Sequence, residues 1–367
     1  MMGQRSRSIR EAKAEKARQK RRAKRRKRAL FLFSEILIFC ILLSVGYVMT
    51  KYGKLQLNIL EKNDVVINEG VKQQGYTTIA LFGGDSREGQ LEAGTHADTI
   101  IIASIDNDTK EVKLASVYRD TMTAQEDGTI KKANNGYFVG GPAGAINMLN
   151  RNLDLDISQY VTVDFKALAD VIDLLDGIDV EVSAEEAAAM NQYIGETAKV
   201  TKKQSKNVSA GLQTLDGVQA VTYARIRKNV GGDYARTDRQ RLVIQKVAEK
   251  AKKMNPLQLN EIIDTVFTQI STSFTLPQIV KYAGDILKYH IGETTGFPFE
   301  RTDGYVDGIG SVVVPLGFVE NVEELHAFLY PKDEYTVSAN VQEIATQIET
   351  LSGYTRQDYV DPNGTDS

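Results

Sequence analysis

The sequence predicts an α/β (α+β) fold, a mixed central β-sheet flanked by helices and preceded by one N-terminal transmembrane helix. Three observations carry that expectation. Short β-branched runs broken by glycine or by Asn107-Asp108-Thr109 read as strands. Segments with apolar residues at helical spacing fall between and after them, the layered pattern of a sheet covered by helices. Ahead of both, Ala29 to Met49 is a nearly unbroken apolar run of 21 residues.

The amino terminus holds two electrostatically different pieces. Residues 1–28 contain 14 Lys and Arg against Glu11 and Glu15, a charge of +12 in a chain of −3, so the remainder carries −15. As a helix the apolar run is about 31 Å long at ~1.5 Å per residue, enough to cross the hydrocarbon core. Glu35 interrupts it near the cytoplasmic end, where the carboxyl stays close to the headgroups. The positive-inside rule then gives a basic cytoplasmic tail at 1–28, a membrane helix at 29–49, and everything after Lys51 outside. No small-residue cleavage site follows, so the run reads as an uncleaved signal anchor of a single-pass type II cell-membrane protein. The basic tail has the charge of a nucleic-acid arm, but it abuts the apolar run and reads as a topology signal touching anionic lipid. No nucleic-acid partner is expected. Cys40 is the only cysteine and lies in the run, so the exported part depends on its core rather than on disulfides.

Residues 50–75 have no clear period and read as a stalk. The extracellular domain is expected over 76–353. Its first strands are placed at Thr77 to Phe82, Thr99 to Asp106 and Glu111 to Val117, the last two as a hairpin. Helices are expected at Gly141 to Leu153 and Asp164 to Leu175, with strands at Tyr160 to Val163 and Ile178 to Val182. Thr237 to Lys253 is the longest helical candidate, opening on Thr237-x-x-Gln240, a capping-box pattern, and ending before Pro256. Further helices are placed at 257–268, 276–287, 319–329 and 341–351, with a strand at 311–314. Residues 354–367 are polar, contain Pro362 and Gly364, and read as a disordered tail.

Strand order brings chemistry together. If the first strand runs up, Asp85 follows its end, Asp98 precedes the start of the second, and Arg119 follows the end of the third. All three then lie on one edge of the sheet. Gly83-Gly84-Asp85-Ser86-Arg87 offers backbone N–H groups in a turn, and two carboxylates are hard oxygen ligands suited to Mg²⁺ or Mn²⁺. Tyr223-Ala224-Arg225-Ile226-Arg227, if extended, points both arginines one way and Ile226 into the core. Two guanidinium forks can clamp a diphosphate. Arg236, Arg239 and Gln240 share a helix face by their spacing, with Asp233 as a turn residue just ahead. Arg236 near a helix start is not explained by the dipole, whereas a bound anion would explain it. His290 and His326 read as structural, and His96 shows no metal-ligand spacing. Neither a Gly-x-Ser-x-Gly elbow nor a Cys-His pair is present, which argues against a covalent hydrolase.

Six blocks in order, Ile79 to Arg87, Ala97-Asp98-Thr99, Ser116 to Thr121, Lys132-Ala133-Asn134, Leu215 to Arg227 and Gly232 to Gln240, resemble the LytR-CpsA-Psr family over a motif core of roughly residues 76–250. The resemblance implies an enzyme that moves an anionic glycopolymer, wall teichoic acid or capsular polysaccharide, from a polyprenyl-diphosphate lipid to peptidoglycan. It implies Mg²⁺ (or Mn²⁺) on Asp85 and Asp98, with Arg119 and Asp233 catalytic beside them. Arg87, Arg119, Arg225, Arg227, Arg236 and Gln240 would bind the diphosphate. Two departures stand out: Thr95-His96-Ala97 precedes Asp98 where the family has Arg-Ser, and Val117-Tyr118 precedes Arg119 where it has Ile-Pro. Either Asp85 or Asp98 would serve as base, and the sequence does not choose. A membrane-bound transcriptional regulator or attenuator and a lipid-diphosphate pyrophosphatase are the alternative readings. Ile146 to Leu153 and Val171 to Leu175 are candidates for a lipid groove or plain core.

Overall fold

The computed structural model describes residue 43 and residues 46–61, 63–84 and 91–358. The chain divides into two compact units, Met1–Lys54 and Leu55–Ser367. In the first, residues 46–52 are helical and Lys51 Nζ lies 4.9 Å from the Tyr47 ring centre. The basic tail at 1–28 and most of the span expected at 29–49 lie outside the described residues. Among those described, no helix is long and apolar enough to cross a membrane.

The strands of the second unit are β1 (Gln56–Leu57), β2 (Tyr76–Gly84), β3 (Ala97–Asp106), β4 (Glu111–Val117), β5 (Met122–Ala124), β6 (Ile130–Lys132), β7 (Gln159–Asp164), β8 (Ile178–Val182), β9 (Gly211–Leu215), β10 (Ile270–Thr272), β11 (His290–Phe297), β12 (Arg301–Val306) and β13 (Gly310–Pro315). Its helices are α1 (Asn134–Leu153), α2 (Phe165–Leu174), α3 (Ala184–Thr201), α4 (Gly217–Arg225), α5 (Gly232–Ala251), α6 (Pro256–Val266), α7 (Leu276–Gly284), α8 (Phe318–Leu329) and α9 (Ala339–Ser352). A seven-stranded mixed sheet in the order β1-β10-β7-β2-β3-β4-β11 carries the rest. β2, β3 and β4 form the expected antiparallel meander, while β7 joins β2 in parallel.

β3 is central and covered on both sides, which is why its apolar residues run continuously instead of alternating. Ala80, Phe82, Ile100, Ile102, Ala115 and Val117 pack on one face against α1, α8 and α9. On the other face Ile101 and Leu114 meet Ile244 of α5, and Ile79 and Ile105 meet Phe274, Ile279 and Tyr282 around α7. A second apolar cluster joins β8 and β9 to α2–α5.

Several expectations change. Residues 55–75 are packed rather than a free stalk: β1 pairs with β10, and Asn68 Nδ2 donates to Asp154 at 2.6 Å. Residues 354–358 also pack, with Arg356 bridging Glu300 and Glu320, while 359–367 lie outside the described residues. α1 begins at Asn134 and continues through a kink at Gly141, whose φ of 60° breaks the local pattern and whose missing Cβ admits the Ala93 backbone N at 3.2 Å from where it would stand. α5 begins at Gly232, not Thr237. Thr237 is therefore interior and its hydroxyl donates back to Tyr234 O at 2.8 Å, so Thr237-x-x-Gln240 is not a capping box. Ile146, Leu149, Leu153 and Ile172 are fully buried core, which removes them as groove candidates.

Candidate functional site

The site stands where β2, β4 and β7 end and β3 begins. Gly84 pairs with Ala97 across β2 and β3 and with Asp164 across β2 and β7. Asp98 thus starts its strand beside the ends of its neighbours, and Arg119, two residues past β4, reaches it: Nη1 donates to Asp98 Oδ1 at 2.5 Å. Strand order alone had put these two on one edge. Asp85 and Arg87, the other members expected there, lie outside the described residues.

From α5 comes the second half of the site. Gly231, with φ 84°, delivers the chain into the helix without any side-chain cap, so Asp233 and Arg236 occupy its first turns. Arg236 is 3% exposed; it donates to Asp233 at 3.0 Å and to the Asp98 carbonyl at 3.4 Å. Burial pulls its pKa below the usual arginine value, and Asp233 only partly offsets this because Arg119 and Arg227 lie close. Burial also works against the Arg119 charge, but Asp98 and Asp120 outweigh it and hold that pKa above the usual value. The Nε atoms of Arg119 and Arg236 are buried with no hydrogen-bond partner among the described residues. Such an orphan costs roughly 1–3 kcal/mol; the Asp120 carboxylate lies 3.4 Å from Arg119 Nε, so Arg236 Nε is the stronger mark of a place where an anion is wanted.

Arg225 and Arg227 do not sit in an extended segment. Arg225 closes the last turn of α4, a helix opened by a capping box between Asp216 and Gln219, and its guanidinium lies 4.5 Å from the Phe165 ring centre. Ile226 turns into the core as expected, at 2% exposure, and half-exposed Arg227 reaches Asp233 at 3.5 Å. The two arginines nonetheless line one cleft of about 1120 Å³ together with Asp98, Arg119, Asp120, Lys131 and Lys132. Arg239, predicted to share a face with Arg236, instead pins the 226–230 loop: it donates to Ile226 O at 2.8 Å, to Val230 O and to Glu186 at 2.8 Å. Lys132 was missed as a site residue. It holds Asp120 at 3.1 Å, and that carboxylate also lies 3.4 Å from Arg119 Nε. His96 stacks on Phe138 with 4.5 Å between ring centres, and His326, buried, meets Leu153 O at 2.7 Å as a structural residue.

Behind the charged cleft lies an apolar cavity of about 190 Å³, bounded by Leu81, Gly83, Thr99, Ile101, Val161, Phe165, Leu168, Ala224, Gln240 and Val243. The two linings have no residue in common but meet along the chain: Asp98 lines the cleft and Thr99 the cavity, and Arg225 lines the cleft and Ala224 the cavity. Gln240 stands one helical turn after Arg236. Its amide donates to Ala224 O at 3.4 Å, and its Oε1 is buried without a partner among the described residues.

The sequence model described as the LytR_cpsA_psr family matches residues 45–324. The chain belongs to that family. A LytR-CpsA-Psr relative from Halalkalibacterium halodurans, named polyisoprenyl-teichoic acid--peptidoglycan teichoic acid transferase TagU, is 29% identical over 265 residues, 68% of this chain and 81% of its own. Among solved structures, one described as a transcriptional regulator from Enterococcus faecalis matches with a TM-score of 0.59 at 23% identity, covering 78% of this chain and 98% of that one. Another, the LytR-CPS2A-psr family protein YwtF (TagT) with bound octaprenyl pyrophosphate lipid, matches at 0.54 and 18% identity over 74% of this chain and 99% of that one. These likenesses establish the mixed α/β fold.

For a metal, one of the two candidate ligands is described: Asp98 offers a carboxylate, the donor type that suits Mg²⁺ or Mn²⁺, and its Oδ1 takes Arg119. No group of three acids, histidines or cysteines gathers among the described residues. Mg²⁺ does not require one, since one or two carboxylates with water and phosphate oxygens complete its shell.

Proposed function

We propose that this chain is a phosphotransferase that moves an anionic glycopolymer from a polyprenyl-diphosphate lipid to a sugar hydroxyl of peptidoglycan. The observation that carries the reading is that the arginine cleft and the apolar cavity are lined by adjacent residues of the chain, at Asp98-Thr99 and at Ala224-Arg225. A ligand that satisfies both is an amphiphile with a diphosphate head and an apolar tail. The TagU relative's name and the TagT structure with octaprenyl pyrophosphate support the same chemistry. In this reading the glycopolymer is wall teichoic acid or capsular polysaccharide. Residues 29–49 anchor the chain in the cell membrane, with the catalytic domain outside.

Arg119, Arg225, Arg227 and Arg236 grip the diphosphate, with Arg87 beside them. Asp233 orients Arg227 and Arg236, which it already holds at 3.5 and 3.0 Å. Gln240 lines the cavity beside Ala224, and its amide N–H group is the one that can donate to a phosphate oxygen. The acceptor hydroxyl oxygen attacks the sugar-linked phosphorus and forms the new P–O bond. The bond from that phosphorus to the bridging oxygen breaks, and polyprenyl phosphate leaves with the electron pair. The hydroxyl proton passes to Asp85 or Asp98. Arginines fixed in a partly dry cleft stabilise charge on the equatorial and leaving oxygens without reorganising. Asp85 and Asp98 would hold Mg²⁺ or Mn²⁺, which when bound neutralises charge on the diphosphate.

The test is the full chain in vesicles with Mg²⁺, a labelled lipid-diphosphate glycan and peptidoglycan. Label should move to peptidoglycan, with polyprenyl phosphate formed in equal amount, and Asp98→Ala and Arg119→Ala should each abolish the transfer. Phosphate release without attachment would point to a pyrophosphatase, and full activity of both variants would reject the site.

A further inference from the structure

We infer that Arg301, clamped between the rings of Tyr118 and Tyr234, is a positioning residue that fixes the two halves of the arginine cleft at their working distance. The inference rests on the proposed phosphotransfer, in which Arg119 and Arg236 act on one diphosphate. Arg301 opens β12, and its guanidinium lies 4.2 Å from the Tyr234 ring centre and 4.9 Å from that of Tyr118. The two rings meet edge to face, with 4.7 Å between centres and 73° between planes. Tyr118, which stands where the family pattern has proline, directly precedes Arg119, and Tyr234 directly follows Asp233. One cation therefore joins a residue beside each half of the site, yet it lines neither the cleft nor the cavity.

Such a brace answers a repulsion. Arg119 and Arg227 lie close enough to Arg236 to oppose its charge, so the halves push apart when no anion lies between them. The hydrogen bond that links them, Arg236 Nη2 to Asp98 O, is long at 3.4 Å. α5 packs on the sheet through Ile244, about two turns beyond Arg236, and its start has no side-chain cap. Its first turn therefore needs a hold of its own.

β11 and β12 supply that hold. Arg301 Nη1 donates to Pro298 O at 3.0 Å and to Phe299 O at 2.8 Å, which ties the cation to the turn between the two strands. The Tyr234 hydroxyl donates to Asp303 on β12 at 2.6 Å. On the other side the Tyr118 backbone N–H donates to Phe297 O at 3.0 Å, and a Cβ on Gly296 would stand 2.1 Å from the Tyr118 hydroxyl, so this ring lies flush on β11. A planar guanidinium is attracted to aromatic faces and can stack on them as lysine cannot. Arg301 Nε is buried without a hydrogen bond among the described residues, and a side chain that only filled this space would be less costly if it were apolar.

The test is a double-mutant cycle, read as single-turnover glycan transfer by the full chain in vesicles. Arg301→Met and Tyr118→Leu break the stack at different members, and each is combined with Arg119→Lys. Each should lower transfer by roughly 10–10²-fold, the scale of loss for a misplacement on the order of 1 Å, while Tyr118→Phe, which keeps the ring, should transfer at close to the wild-type rate. Once the halves have come apart the Arg119 fork has less to lose, so adding Arg119→Lys should cost far less than it does in wild type. A residue that merely supports folding gives another pattern, because loss of folded protein divides every rate by the same factor whatever stands at position 119. Losses that multiply in any folded variant therefore overturn the inference, as does an undiminished rate in Arg301→Met or Tyr118→Leu. Circular dichroism identifies a variant that fails to fold, and the other then carries the cycle. A wild type that transfers no glycan overturns the proposed reaction and this inference with it, whereas an active wild type with multiplying losses overturns the inference alone.

Discussion

At the scale of single residues, Arg119 is held by Asp98 at 2.5 Å, with the Asp120 carboxylate 3.4 Å from its Nε, and Arg236 keeps a buried Nε without a hydrogen bond among the described residues. Lysine keeps the charge but loses the planar fork. Arg119→Lys should therefore lower single-turnover glycan transfer by roughly 10²–10³-fold, the loss typical of one oxyanion-stabilising donor, with the circular-dichroism spectrum unchanged. Gln240 predicts the same split. Its Oε1 is buried without a partner, so Gln240→Leu should leave stability to urea unchanged or raise it by about 1 kcal/mol, while transfer falls. Equal losses in both would mean the amide serves packing. Asp98 and Arg119 were legible because strand direction fixes which ends of strands meet. The paired role of Arg225 and Arg227 was misread as period-two geometry, although Asp216-x-x-Gln219 two turns upstream was a visible helix start. The place of Arg239 was hidden, because a guanidinium that pins a loop and one that binds a ligand have the same spacing.

At the scale of elements, the β3–β4 turn shows how one carboxylate fixes a connection. Asp106 accepts from Lys332 at 2.6 Å and from the backbone N–H groups of Asp108 and Thr109, and the Lys332 contact above all holds its pKa at about 2. The folded value lies below the unfolded value of about 3.9. Its stabilisation is therefore complete above pH ~4 and is lost as the pH falls toward 2. The stability difference between wild type and Asp106→Asn, measured by urea unfolding, should be constant from neutral pH down to about 4 and shrink below it. An unchanged difference at pH 2.5 would remove the ion pair as its cause. The meander, α2 and the four C-terminal helices were readable from periodicity. α3 escaped although Ser183-x-x-Glu186 announces it, because its polyalanine stretch gives little apolar contrast. The two-residue β1 and three-residue β10 carry too few residues to show any period.

At the scale of the whole molecule, contacts distant in sequence decide the fold. Asp154, fully buried at the end of α1 with φ 48°, accepts hydrogen bonds from Asn68, from the Tyr335 hydroxyl and from both the backbone N–H and hydroxyl of Ser338. Asn68 also donates to Arg151 O at 3.0 Å, but Asp154→Ala leaves the Tyr335 hydroxyl and the Ser338 N–H and hydroxyl without this acceptor and should cost about 3 kcal/mol, each unsatisfied buried group costing roughly 1–3. Thermal unfolding should show the loss, and a variant as stable as wild type would mean the donors find other partners. None of this was visible in advance, since a stalk that folds back and a helix cap that serves two remote segments have no local signature.

Asp154 also dictates an order of assembly. Its partners lie 86 residues before it and 184 after it, so the carboxylate stays incompletely satisfied until Ser338 has been synthesised. Core residues Val341, Ile344 and Ile348 of α9 arrive only after that. Its fold therefore closes late, after nearly the whole chain has been made, and every shorter intermediate carries an unfinished core and an unsatisfied buried carboxylate.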